Sequence, residues 1–230
     1  MNQEIKNTFL KVGKKGGYLG NQKIYEVGFD VNNPNIFKEA LYLGYLDVSR
    51  TISIQDKKNN YKSNVIKDIY PKLQKYFKNL DFENYDKKTF DDFHCKFCKK
   101  LIETYKNKLK YDLSYGQAQK IINMAFKYLY CCNNLGDYQK CFKYCHMPLD
   151  KYTLLWFGSK SGVYIFTWSK MEEALYIRIQ ECIREYLKNK IILEEEFKIW
   201  EKYKDNTFEL EKGKDQDKVL VALKAEDCSL

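Results

Sequence analysis

Leu113-Ser-Tyr-Gly-Gln-Ala-Gln-Lys120 and Met147-Pro-Leu-Asp150 decide how this chain is read. In the first stretch Ser114 and Gln117 have the S-x-x-Q spacing of a capping box, where each side chain meets the other's backbone N–H at a helix start. The helix it opens carries Ile121, Ile122, Ala125, Phe126 and Leu129 at helical spacing, with Lys120 one turn inside. In the second stretch Pro148 and Asp150 precede a helix-like run, Tyr152–Phe157. An aspartate there caps free N–H groups and sits at the positive end of the helix dipole. The pattern is a lysine near one helix start and, thirty residues later, an aspartate at the next.

Working outward, helical signals dominate. Asn33-Pro34 reads as an N-cap with proline at the first helical position, opening Ile36–Leu46. Val65–Leu80 is helical in pattern, with Pro71 expected to kink or split it. Thr89 reads as the cap of an amphipathic run with Phe90, Phe93, Phe97, Leu101 and Tyr105 inward. Ser169 and Glu172 have the S-x-x-E spacing of a second capping box, before Leu175, Ile179, Cys182, Ile183, Tyr186 and Leu187. A last helix, near Leu193–Tyr203, carries Phe197 and Trp200. Before all of these, Phe9–Val12 and Ile24–Phe29 read as short strands around Gly13, Gly16, Gly17 and Gly20. That glycine cluster lacks the spacing and the closing Lys-Ser/Thr of a phosphate loop. The expected class is mainly α with a small N-terminal β-containing segment. The expected organisation is an N-terminal segment (1–85), a helical domain (86–205) and a polar C-terminal tail (206–230).

Composition narrows the function classes. The chain has 230 residues, 44% apolar and 16% aromatic, enough for a large core and too much for disorder. Its 40 basic residues exceed 31 acidic ones for a net charge of +9, and only three of the basic residues are Arg. Lysine excess suits a polyanion's phosphates better than bidentate base reading; a lysine-rich proteome explains it equally well. No stretch approaches a transmembrane helix. Met1–Lys23 has no apolar core of a signal peptide. Eight cysteines are too sparse for a secreted disulfide scaffold. A reducing, cytoplasmic setting without membrane contact is expected.

The ordered motifs resemble the helix-hairpin-helix DNA glycosylase superfamily, and most of all its archaeal-type 8-oxoguanine DNA glycosylase/lyase branch. Leu113, Gly116 and Lys120 match the hairpin that supplies a nucleophilic lysine in that superfamily; Pro148 and Asp150 match its Pro-x-Asp segment. Ala118 stands where the family has a second hairpin glycine. The resemblance spans about Leu113–Tyr203 and does not extend to the first hundred residues. It implies Lys120 and Asp150 as catalytic residues and Met124, Glu196 and Trp200 as walls of a base pocket. It also implies Gly116 and Gln117 at the DNA backbone. The implied protein is a monomer that excises an oxidised purine from DNA and needs no metal or organic cofactor.

The chemistry requires a neutral amine to attack the anomeric carbon, and burial lowers a lysine's pKa. Lys120, beside Ile121 and Met124, is expected to be partly buried and so depressed. Asp150 would relay a proton and offset positive charge on the sugar. Trp200 offers a stacking face and Glu196 an acceptor for guanine N–H groups.

Plainer readings stand beside these. Lys120 reads equally as a solvated helix lysine, Asp150 as a cap alone, and Met124 and Trp200 as core. Glu196 falls in Glu194-Glu195-Glu196, an acidic run typical of a solvated face. Cys95 and Cys98, with Cys141 and Cys145, have a spacing compatible with zinc, although the first two fall mid-helix. The chief rival function is a protein that keeps the fold, lacks catalysis, and binds nucleic acid, a nucleotide or a partner protein, as a defence component would. Ala118 and the unmatched first hundred residues favour that rival.

Overall fold

The computed structural model describes residues 28–53, 61–165 and 167–203. Seven α-helices are present among them: α1 (Pro34–Val48), α2 (Tyr61–Lys78), α3 (Lys87–Leu109), α4 (Tyr115–Tyr130), α5 (Lys151–Ser161), α6 (Glu173–Tyr186) and α7 (Ile192–Tyr203). Short 3-10 turns lie at Ser49–Thr51, Gly136–Tyr144 and Trp168–Lys170. The mainly helical class is therefore observed. The N-terminal strands fall outside the described residues, except that Gly28 makes an isolated parallel bridge to Asn133.

Local chemistry explains most helix starts. Asn33 caps α1 by accepting from the Asn35 N–H, with Pro34 next. Ser114 and Gln117 form both bonds of the capping box on α4. Asp150 accepts from the N–H groups of Tyr152 and Thr153 and caps α5. Two expected starts shift. The α3 cap is Asp86, whose carboxylate accepts from the N–H of Thr89. Glu172 occupies the N-cap position of α6 without a side-chain bond. The Ser169 carbonyl instead accepts from the Ser114 hydroxyl, a tertiary contact to α4. Pro71 does not split α2. It is solvent-exposed, as is Lys67 four residues earlier, so water can meet the carbonyl that loses its partner.

Helix α4 is the axis: every one of its 16 residues is buried. Helix α1 packs most extensively on it, α3 and α6 lie against it, and α5 pairs with α7. The close α1–α4 crossing depends on Gly44, where a Cβ would overlap the Ile121 carbonyl oxygen. Gly116 plays the same part at the start of α4, where a Cβ would collide with the Trp168 carbonyl oxygen. One hydrophobic core runs from Phe29 and Ile36 through Phe126 to Phe197, so packing has no break at the expected 85/86 boundary. The tail after residue 203 lies outside the described residues.

Candidate active site

The turn of residues 110–114 joins α3 to α4, with Lys110 in the left-handed region at φ 52°. It delivers Lys120 to the inside of the molecule. The Lys120 Nζ donates to Asp150 Oδ2 at 2.6 Å, and the two side chains are 7% and 15% exposed. The other Asp150 oxygen, Oδ1, holds the α5 cap. One carboxylate thus serves a helix end and an ammonium at once.

The charge state of Lys120 corrects the sequence-based expectation. Burial is the largest influence and disfavours the ammonium, but Asp150, Glu196 and Asp47 together outweigh it, so Lys120 titrates above the ordinary lysine value. For Asp150, burial acts to raise the pKa. The charge and hydrogen bond of Lys120, the Thr153 N–H and the charge of Lys127 prevail, and the carboxyl is lowered. The resting pair is an ammonium and a carboxylate.

A second ion pair lies two turns along α4. Lys127 and Glu196 touch, both side chains 1% exposed. The contact lies outside hydrogen-bond geometry, and both Glu196 oxygens are buried without a hydrogen bond among the described residues. Glu196 is therefore not on a solvated face. Lys127 also sits 4.2 Å from the ring centre of Phe197 and 6.0 Å from that of Trp200. Trp200 is half-buried beside it, and Met124 is 4% exposed in the core. Asp47, near the end of α1, accepts from the Tyr128 hydroxyl at 3.2 Å. Asp47 is exposed, yet protein crowds its carboxyl. Burial pushes that carboxyl up, despite Lys120, Lys127 and the Tyr128 hydrogen bond.

The two residues assigned to the DNA backbone are engaged internally. The Gly116 N–H donates to the Met171 carbonyl at 2.9 Å. Gln117 completes the capping box, and its amide donates to the Thr51 carbonyl at 2.7 Å. Neither has a backbone or side-chain donor left over for a phosphate.

Sequence reasoning missed a buried polar network on another face of α4. The His94 Nε2–H faces Asn123 Oδ1 at 2.8 Å, and the Asn123 amide donates to the Tyr176 hydroxyl at 2.9 Å. Tyr176 meets His146 Nδ1 at 2.8 Å, and His146 Nε2 meets Asp91 at 2.9 Å. Arg184 clamps Asp91 through both guanidinium nitrogens at 2.8 and 2.7 Å. The carboxylate needs a donor, so His146 carries its proton on Nε2 and accepts from Tyr176 on Nδ1. Burial holds His94 well below the usual imidazole range and His146 down to about 4, so both rings are neutral. The available signal was Gln119 and Asn123 at i, i+4 on an otherwise apolar helix, and Lys127 at i+7 from Lys120.

The described cysteines do not converge on one point. Cys98, Cys141 and Cys145 are buried, and Cys95 points its thiol at Glu173 from 3.0 Å. No three His, Cys, Asp or Glu side chains among the described residues form a metal-ligand group. No described helix is long and apolar enough to cross a membrane. Comparison of the chain with family models, curated proteins and solved structures found no match.

Proposed function

We propose that this chain is a DNA N-glycosylase that excises an oxidised purine, with Lys120 as nucleophile and Asp150 as its electrostatic partner. The reading rests on one observation above the others: the Lys120–Asp150 pair, 2.6 Å apart and nearly buried, built from two helix starts thirty residues distant. A structural ion pair is seldom placed where it must be desolvated, because desolvation offsets much of the Coulomb attraction.

The resting charges set the order of events. Lys120 enters as an ammonium and so acts first as an acid. As the bond between C1′ and the purine nitrogen breaks, the electron pair leaves with the base, and a proton from Lys120 neutralises it. The amine left behind then attacks C1′, whose positive charge Asp150 has been stabilising. Loss of a second proton to the carboxylate frees the nitrogen lone pair, which forms the C1′=N bond as C1′–O4′ breaks; the carboxyl returns its proton to O4′, leaving the protonated Schiff base. Transfer of a C2′ proton to the regenerated carboxylate forms the C2′=C3′ bond and expels the 3′ phosphate, which nicks the strand. Glu196, Lys127 and Trp200 form the proposed edge and stacking contacts for the extruded base, with Met124 behind them. The excess of lysine supplies phosphate attraction.

Borohydride added during incubation with an 8-oxoguanine duplex tests this directly, since it reduces an imine to a stable amine. The expected result is a covalent protein–DNA adduct with the wild type, none with Lys120→Gln, and a rate at least tenfold lower with Asp150→Asn. No wild-type adduct on any oxidised-purine duplex sinks the catalytic reading.

A second reading is favoured by a specific observation: the Lys120 ammonium is locked to Asp150, and the Gly116 and Gln117 donors are engaged inside the protein. In that reading the chain binds a nucleic acid or a protein partner without chemistry. Steeply salt-dependent DNA binding with no base excision would favour it. Absence of any DNA binding would point to a protein partner.

A further inference from the structure

The residue before the lysine, Gln119, faces the segment that carries the aspartate. Its amide nitrogen donates to the Leu149 carbonyl at 2.9 Å, and its oxygen accepts from the Leu149 N–H at 3.3 Å. Gln180 on α6 grips the same segment two residues earlier: its amide donates to the Met147 carbonyl at 2.7 Å and accepts from the Met147 N–H at 3.0 Å. Both glutamines are at most 1% exposed. Between the two grips lies Pro148, which has no N–H to offer. Asn123 links the arrangement by donating to Gln119 Oε1 at 2.9 Å. A side chain that makes two bonds to one residue's backbone fixes both its position and its rotation, much as a neighbouring strand would.

We propose that Gln119 is a positioning residue: its two bonds to Leu149 set the Asp150 carboxylate against Lys120, so one turn of α4 both supplies the amine and aims its partner. This deepens the reading of Lys120 and Asp150 given above and rests on it for its functional meaning. Gln180 provides a matched control. It makes the same paired bonds to the same segment from equal burial, but from another helix and three residues from Asp150 rather than one.

The test compares Gln119→Met with Gln180→Met in the full chain, reading the Lys120 titration by 13Cε NMR of labelled lysine through the alkaline range, with no DNA present. Both variants should lose similar thermal stability, since each deletes a buried amide of similar size. Only Gln119→Met should move Lys120, lowering its pKa by about one unit as the opposite charge drifts away. An equal shift in both variants, or none in either, overturns the proposal, because a merely structural clamp would act alike at both ends. Should Gln119→Met fail to fold, Gln119→Asn keeps the polarity but is too short to span both backbone bonds, and the same comparison applies. Absence of a wild-type DNA adduct would defeat the glycosylase reading without touching this result. Where the wild type does trap DNA, Gln119→Met should trap about tenfold more slowly and Gln180→Met at the wild-type rate.

Discussion

Helix α4 presents two polar faces to the interior, and they are built on opposite principles. One bears Lys120 and Lys127, each set against a carboxylate, with Asp47 nearby. The other bears Gln119 and Asn123, which join His94, Tyr176 and His146 in a network of neutral groups. In the neutral network each proton has an assigned donor and acceptor, so it resists rearrangement and fixes the fold. On the charged face the attraction is Coulombic, and among the described residues neither Glu196 oxygen has a hydrogen bond. The neutral face serves stability and, through Gln119, holds the segment that carries Asp150; the charged face is the place to look for chemistry.

That contrast can be attacked from several sides. The largest stability effect should come from Glu196→Gln, which takes from the buried Lys127 the carboxylate it touches and costs about 3–5 kcal/mol. The double change Glu196→Gln with Lys127→Met should regain most of this in chemical denaturation, because it removes the uncompensated charge. If the single variant is as stable as wild type, Glu196 is not what compensates the buried Lys127 charge.

Acid should strike the neutral face first. His94 and His146 have folded pKa values depressed below the ordinary 6.5, His146 to about 4, so the folded state binds fewer protons than the unfolded chain. Their contribution is intact above the unfolded value and is lost as pH falls from about 6.5. For His146 alone the loss reaches about 3 kcal/mol near pH 4. Asp91 and Asp150, whose pKa values are lowered, lose their contributions only below the ordinary carboxylate range. Urea denaturation at stepped pH values checks this; a stability flat between neutrality and pH 5 would contradict neutral buried imidazoles.

Tyr176→Phe removes one hydroxyl that accepts from Asn123 and donates to His146. A cost of about 1–3 kcal/mol follows from leaving those partners unsatisfied. Since the lost hydroxyl bonds neither Gln119 nor Leu149, adduct formation at saturating DNA should stay near the wild-type rate. Lys120→Gln should cost less stability than Glu196→Gln, because Asp150 retains two cap N–H bonds and some solvent. The same variant should lose adduct formation altogether. Large destabilisation by Lys120→Gln would mean that the two lysines serve alike, and the distinction between them would fall.

Much of the architecture was readable before any coordinates. The caps at Asn33, at Ser114 with Gln117, and at Asp150 depend on residues two or three positions apart, and they stand where the sequence put them. Ser169 misled because it lies inside the Trp168–Lys170 turn, three residues before Glu172, the actual N-cap of α6. Thr89 misled by three residues because Asp86, the better acceptor, lies within the same turn. Pro71 misled because an exposed carbonyl can turn to water.

The candidate site divides in the same way. Residue types and spacing marked Lys120 and Asp150, since each sits at a helix start that local chemistry defines. The protonation of Lys120, the burial of Glu196 against Lys127 and the grip of Gln119 on Leu149 belong to the tertiary structure. Those depend on which carboxylates, carbonyls and apolar side chains arrive from distant parts of the chain. Electrostatic energy varies with separation and with the water excluded around a charge, and neither quantity is written in a run of neighbouring residues.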